Sequence, residues 1–439
     1  MKKTILLIAM LLQCFSGHAQ SEEFGMGLLP DDGQYDLLPC KATLSRQDYQ
    51  GLPSNYSLRQ YCPEPMSQKG YGTCTGWATA YAARTIAEAV RLKLTDRATI
   101  TKEAFSPLFV YALIKEVHND NCSNGSQVYK ALQLMKHLGC VKKEHFNTLC
   151  ADNVPQRLKD IAKLYKIDDF FPLFNRLSPV SITKIQKVKK AISQENPVVI
   201  SMETPTSFHK AGLIWNGEDS SRRGRHALCV VGYDDGVAGG AFLIMNSWGK
   251  QWGDQGFTWI KYSDFEKYVY QAYELYVKKM DRNDLIQLPR TNSPKKIPGG
   301  VKIKLAGGAY VGSVYNQTLQ TYTPARQIRQ GSRFSIELTN DAPSYIYVLG
   351  IDANGRVSRL FPASDNISAA VTYRNSHLTI PGENDYLTKG SGTSGIKRLC
   401  VFYSKEELDF DQLISNMKLN SARSNLQLSS DVVPVTIDL

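Results

Sequence analysis

The chain has 439 residues, 42% of them hydrophobic and 21% charged, and carries a formal charge of +11 from 52 basic against 41 acidic residues. That length is too great for one ordinary core and predicts two domains, while the composition fits a soluble globular protein. The basic excess falls in short clusters, such as Lys187, Lys189 and Lys190 or Arg222, Arg223 and Arg225. No nucleic-acid-binding motif accompanies them, so no nucleic-acid partner is expected.

Lys2 and Lys3 precede an apolar run, Ile5 to Leu12, which is too short to span a bilayer as a mature anchor. Small residues in Gly17-His18-Ala19 predict a signal peptide over 1–19, cut before Gln20, and hence a secreted or periplasmic protein with no integral membrane segment after its removal. A lipid anchor at Cys14 is disfavoured by the bulky Gln13. Residues 20–51 read as a polar, irregular prosegment or extension with a turn at Pro30-Asp31-Asp32-Gly33.

From Leu52 the texture changes. Trp77, Tyr81, Ile86 and Val90 recur at helical spacing and predict a long helix from Cys74 to Leu94, with further helices over Phe105–Val117 and Gly125–Leu138. Strands are expected at Val198–Met202, Ala227–Tyr233, Ala241–Met245 and Gly256–Tyr262. Helices first and strands second predict an α+β domain with two unlike halves, over 52–278. Pro289, Pro294, Pro298 and Gly299-Gly300 mark a linker over 279–300. Beyond it, 301–439 reads as a separate β-rich, sandwich-like domain, with a hairpin signal at Asn354-Gly355 between strands ending at Ile351 and starting at Arg356.

Thiol-based amide hydrolysis needs a thiolate, a partner imidazole, a group that orients the imidazole and donors for the oxyanion. Cys74 lies at a predicted helix start behind Gly72-Thr73, where the helix dipole favours a thiolate. His226 opens a strand, and Asn246 follows one strand later beside Trp248, which can shield an Asn–His hydrogen bond from water. Gln68 lies shortly before the cysteine and can donate to an oxyanion together with the Cys74 backbone N–H. Cys229 and Cys400 sit in apolar strand-like runs and read as buried thiols. Cys122, Cys140 and Cys150 lack zinc-type spacing, and neither a metal nor a cofactor is expected.

The segments Gln68–Cys74, Arg225-His226-Ala227 with Val230-Val231-Gly232-Tyr233, and Asn246–Phe257 resemble, in this order, the glutamine–nucleophile, histidine and asparagine segments of the papain-like cysteine peptidases. The resemblance runs from about 52 to 278. It implies a helical lobe and a β-barrel-like lobe with a cleft between them. It also implies a peptide or protein substrate and the roles of nucleophile for Cys74, base for His226, orienter for Asn246 and oxyanion donor for Gln68. Asn124, Gly125 and Ser126 resemble the backbone strip that pairs with substrate. Ala227, Trp248 and Arg225 are expected to border bound peptide, and at least one guanidinium of Arg222, Arg223 and Arg225 would face it and favour acidic residues near the scissile bond. The resemblance further implies a Cys122–Cys150 disulfide. Two departures stand out: Thr75 follows the nucleophile where the family has Trp, and Tyr71 replaces a family cysteine. The long propeptide of eukaryotic relatives does not fit in residues 20–51. Tyr345–Leu349, Leu360-Phe361-Pro362 and Val401–Ser404 resemble an uncharacterised β-rich module that bacteria append to peptidase-like domains. Two other functions stay open: a papain-fold binding or adhesion module without catalysis, and a thiol acyl-transferase.

Overall fold

The computed structural model describes residues 24–116, 121–175, 182–217, 223–279, 299–316, 321–390, 395–420 and 432–439. The expected signal peptide and nearly all of the expected linker lie outside them.

The first lobe is helical. Cys74 opens a continuous helical run, α-helical over Cys74–Gly76, π-wound over Trp77–Arg84 and α-helical again over Thr85–Leu92. Two shorter helices, Pro107–Ile114 and Val128–His137, pack against it. Ser106 caps the first of these by accepting from the Phe109 N–H, with Pro107 placed where a missing N–H costs nothing. The second starts three residues later than its sequence pattern predicts, because Gly125, Ser126 and Gln127 are drawn out into an extended strip.

The second lobe is a mixed sheet of eight strands. Its path runs Asp169–Pro172, Val269–Tyr276, Val198–Pro205, Arg223–Asp234, Ala241–Met245, Phe257–Lys261 and Ile214–Trp215, and Asn55–Ser57 pairs with Arg223–Asp234. Its central strands are near-continuous apolar runs, as strands covered on both faces must be. The helix Lys184–Ser193, which periodicity did not single out, covers one face and starts at a Thr183–Gln186 capping box. Both lobes share one core, in which Trp77, Tyr81 and Phe105 meet Leu228, Val230 and Ile244.

The C-terminal region holds a five-stranded and a seven-stranded sheet. Alternation along Ser344–Asp352 explains their packing. Ile346 and Val348 face Phe334, Ile336 and Leu338 of the smaller sheet, whereas Tyr347 and Leu349 lie on the other face beneath Phe410 and Leu413 of the helix Phe410–Asn420. The hairpin at Asn354-Gly355 forms as expected, with the Asp352 N–H donating to the Arg356 carbonyl.

Residues 24–51 do not form the irregular extension that their polarity suggests. They make an arm that crosses both domains. Gly25 to Leu29 runs along the peptidase lobes, a short helix occupies Asp32–Leu37, and Ala42, Leu44 and Tyr49 enter the core of the C-terminal sandwich.

Candidate active site

Cys74 sits at the head of its helix between the two lobes, and the first helical turn packs against the strand Arg223–Asp234. Its sulfur is fully buried. Burial pushes the thiol pKa up. Backbone N–H groups of Ala227, Gly27 and Thr75 and the Thr75 hydroxyl pull against that shift. Thr75, where the family has Trp, also donates through its hydroxyl to the Ser126 carbonyl at 2.9 Å and so ties the helix to the extended strip.

His226 precedes Ala227 on the strand Arg223–Asp234, which packs against the first turn of the Cys74 helix. The register pairs Cys229 with Met245, so Asn246, just past the end of its own strand, lies diagonally across from His226. The His226 Nε2 and the Asn246 Oδ1 are 2.8 Å apart. Asn246 Oδ1 also accepts the Ser247 N–H, which fixes the amide so that its oxygen faces the ring. The other ring nitrogen, Nδ1, is buried without a hydrogen-bond partner. The Trp248 indole lies over the ring at 4.7 Å and an interplanar angle of 23°, sealing the Asn–His contact from water. Burial lowers the His226 pKa to about 4; the Asn246 contact opposes this, and His209 adds to it. Gln68 reaches the same place from the other lobe. Its Oε1 accepts from the Ser247 hydroxyl at 2.6 Å, and its Nε2 donates to the Tyr71 carbonyl at 2.7 Å as well as into the cleft.

Residues 64–276 match the model of the papain family cysteine protease, and residues 327–407 match a domain of unknown function (DUF4384). Residues 64–276 are a papain-family cysteine protease domain. The chain is 26% identical to human cathepsin L2 over 147 residues, which cover 32% of this chain and 42% of cathepsin L2. It is 21% identical to cysteine protease XCP2 of Arabidopsis thaliana over 251 residues, 56% of this chain and 65% of that protein. The chain thus spans less than two thirds of the length of either relative. Among solved structures it resembles xylellain, a cysteine protease from Xylella fastidiosa, at 20% identity and a TM-score of 0.47, covering 58% of this chain and 97% of xylellain.

The cleft of the papain-family domain is occupied by the chain's own arm. Gln68 Nε2 donates to the Gly25 carbonyl at 3.0 Å, and Trp248 Nε1 donates to the same oxygen at 3.1 Å. Phe24 stacks on Trp248 at 4.8 Å. Ser126 N–H donates to the Gly27 carbonyl at 2.8 Å and Leu29 N–H to the Ser126 carbonyl at 3.1 Å. The Leu28 N–H meets the Arg225 carbonyl at 3.4 Å. The fit is close enough to demand glycine on both sides. A Cβ on Gly27 would lie 2.3 Å from Gly72, and one on Gly125 would lie 1.8 Å from the Gly27 carbonyl oxygen. A backbone hydrogen bond from Gly27 is among the influences that hold the Cys74 thiol pKa down against burial.

The expected site residues are therefore placed as follows. Cys74, His226, Asn246 and Gln68 converge, with Trp248 and Ala227 around them. Gly125 and Ser126 line the cleft through main chain, and the Asn124 carbonyl accepts from Tyr111. Arg225 meets the arm only through its carbonyl; its guanidinium stands 5.5 Å from the centre of the Tyr270 ring. Arg222 and the Arg223 side chain lie outside the described residues. Cys122 and Cys150 are bonded, with Cα atoms 5.5 Å apart. Cys229 and Cys400 are buried and not part of the disulfide. Sequence reading missed the arm, Ser247 as the residue that turns Gln68, and His209, whose ring stands edge-on to Trp248 at 5.1 Å. The arm carried one unused signal, the Gly25-Met26-Gly27 pair of glycines.

Proposed function

We propose that the chain is a secreted cysteine peptidase that hydrolyses peptide bonds through Cys74. His226 takes the thiol proton as sulfur adds to the scissile carbonyl. It then delivers that proton to the departing amine, which leaves an acyl group on sulfur. Water, deprotonated by the same imidazole, releases the acid. Asn246 keeps the His226 ring turned toward sulfur, and Gln68 Nε2 with the Cys74 N–H stabilises the oxyanion. Asn124, Gly125, Ser126, Ala227, Trp248 and Arg225 border the substrate. The observation that carries this reading is the His226–Asn246 contact at 2.8 Å, which leaves Nδ1 buried and unpaired beside the helix that begins at Cys74. Residues 24–29 make this the blocked form, since they occupy the strip between Gln68, Trp248 and Ser126 where substrate would lie.

Secretion is supported by the signal pattern over 1–19 and by the Cys122–Cys150 bond, which suits an oxidising compartment. Among the described residues, no helix is long and apolar enough to cross a membrane. The deciding experiment is hydrolysis of a peptide library by the chain carrying Gly27→Val, which cannot seat its arm, with and without Cys74→Ala. Cleavage that disappears with Cys74→Ala is expected; cleavage that persists at the same rate would end the proposal.

A further inference from the structure

The arm that fills the cleft does not end there. Asp31 accepts from Gln271 at 2.6 Å, and the Tyr35 hydroxyl donates to the Phe174 carbonyl, both within the peptidase domain. Beyond Pro39 partners from the C-terminal domain join those of the peptidase domain, where the Lys41 N–H donates to the Pro172 carbonyl at 2.9 Å and Asp48 pairs with Lys190 at 3.3 Å. Cys40 N–H donates to the Asn366 carbonyl, and its own carbonyl accepts from Ser368, each at 2.9 Å. Ser45 N–H donates to the His377 carbonyl at 2.8 Å, and the His377 N–H donates to Asp48 at 2.9 Å. Ala42, Leu44 and Tyr49 are buried in the same core as Phe334, Ile336 and Leu378.

One buried charge cluster joins all three parts of the chain. Lys41 of the arm pairs with Glu274 of the peptidase sheet at 2.5 Å and donates to Thr372 of the C-terminal domain at 2.6 Å. Its ammonium stands 3.5 Å from the centre of the Tyr373 ring, and the Tyr373 hydroxyl donates to Glu274. Asn196 donates to the same carboxylate at 2.8 Å. Burial pulls the Lys41 pKa down to about 8 despite that carboxylate. Glu274 lies on the strand Val269–Tyr276, which also supplies Gln271 to Asp31.

We propose that the C-terminal domain is the latch of the peptidase: by binding residues 40–49 it holds residues 24–29 in the cleft, and its release of that segment activates Cys74. This rests on the reading in which residues 24–29 block a hydrolytic centre. The physical argument is one of effective concentration. Residues 24–29 are held mostly by main-chain hydrogen bonds and glycine contacts, and a free peptide of that length binds weakly. Rebinding is intramolecular in any case, because the arm continues into the strand Asn55–Ser57 of the peptidase domain; anchoring residues 40–49 shortens the free tether and so raises the effective concentration of residues 24–29 at the cleft. Loosening the anchor removes that advantage without altering any residue of the cleft.

The test is alkylation by iodoacetamide of the full chain, mapped cysteine by cysteine, alongside peptide hydrolysis. Two latch variants are used, Leu44→Asp and the near-isosteric pair Thr372→Val with Tyr373→Phe; Gly27→Val serves as the open reference. Cys229 and Cys400, both buried, report general unfolding. The latch variants are expected to label Cys74 faster than the wild type by on the order of ten-fold or more, with Cys229 and Cys400 unchanged. Wild-type labelling of Cys74 in both latch variants, while Gly27→Val labels fast, would overturn the latch and leave the blocked-cleft reading standing. Parallel acceleration at Cys229 and Cys400 would also overturn it, as mere loosening of the fold. If Gly27→Val labels no faster than wild type, the blocked cleft itself is wrong and the latch falls with it.

Discussion

The two halves of the arm are held by different physics. Residues 24–29 lie on the cleft as main chain, with Gly27 and Gly125 in contact and Ser126 and Gln68 supplying hydrogen bonds. Residues 40–49 add side chains to the main-chain bonds of Cys40, Lys41 and Ser45, with Leu44 and Tyr49 inside an apolar core and Lys41 in a buried ion pair. Main-chain contacts of the first kind can be replaced by any peptide able to lie in the same strip. Contacts of the second kind belong to this sequence alone, because a core accepts particular shapes and a buried charge needs its own partner. The difference separates an exchangeable occupant from a fixed anchor, and each half can be broken without the other.

The largest effect is expected in the exchangeable half. Gly27→Val places side-chain carbon where Gly72 leaves no room, so the arm leaves the cleft, and labelling of Cys74 and hydrolysis both rise by on the order of 10²-fold or more. Thermal stability should change little, and a large fall in Tm would mean that the first half is as much a part of the core as the second. In that opened background Gln68→Ala is expected to lower kcat on the order of 10²-fold, through loss of one oxyanion donor. Ser247→Ala, which frees the Gln68 amide to turn, should lower it less, and an equal loss would show that the Ser247 hydroxyl acts on substrate itself. In the fixed half, Leu44→Ala opens a cavity and is expected to cost about 2–5 kcal/mol, read as a fall in the chemical-denaturation midpoint. No loss there would mean that the second half lies on the surface of the sandwich rather than within it.

The same contrast decides what could be read in the sequence. The proposed catalytic residues were legible because each depends on a local pattern: Cys74 on a helix start, His226 and Asn246 on adjacent strands, Trp248 on a motif beside them. The lobes were legible as well, since Trp77, Tyr81 and Ile86 repeat at helical spacing and the central strands are apolar runs. The arm was not. Leu28, Tyr35, Leu44 and Tyr49 are buried, but they are spaced without period and separated by Pro30, Asp31, Asp32 and Gly33, because each packs against a different partner far away in sequence. A segment whose structure is set by long-range contacts leaves no periodic trace. The extended strip at Gly125 to Gln127 was misread for a related reason. Its residues follow a helical pattern, yet their backbone pairs with Gly27 and Leu29 instead of continuing the helix.

The smallest expected effect sharpens the link between the arm and the imidazole. With residues 24–29 in place, His226 is buried and its pKa is lowered from 6.5 to about 4. Burial is the main cause and His209 adds to it. Once residues 24–29 leave, water is expected to reach the ring and its pKa to move back up toward the ordinary value of 6.5. The open form therefore binds a proton between pH 6.5 and about 4 that the blocked form does not. The sign follows by linkage: falling pH in that window favours the open form, and the stability of the blocked form drops as the open ring titrates. At a pH one unit below the ordinary value the bias is about 1.4 kcal/mol, roughly ten-fold in the open population. Cys74 labelling rates, corrected for the reagent's own pH dependence, should thus rise on mild acidification in the wild-type chain and stay flat in Gly27→Val, where the arm is already out. The same slope in both proteins would show that the imidazole titrates independently of the arm.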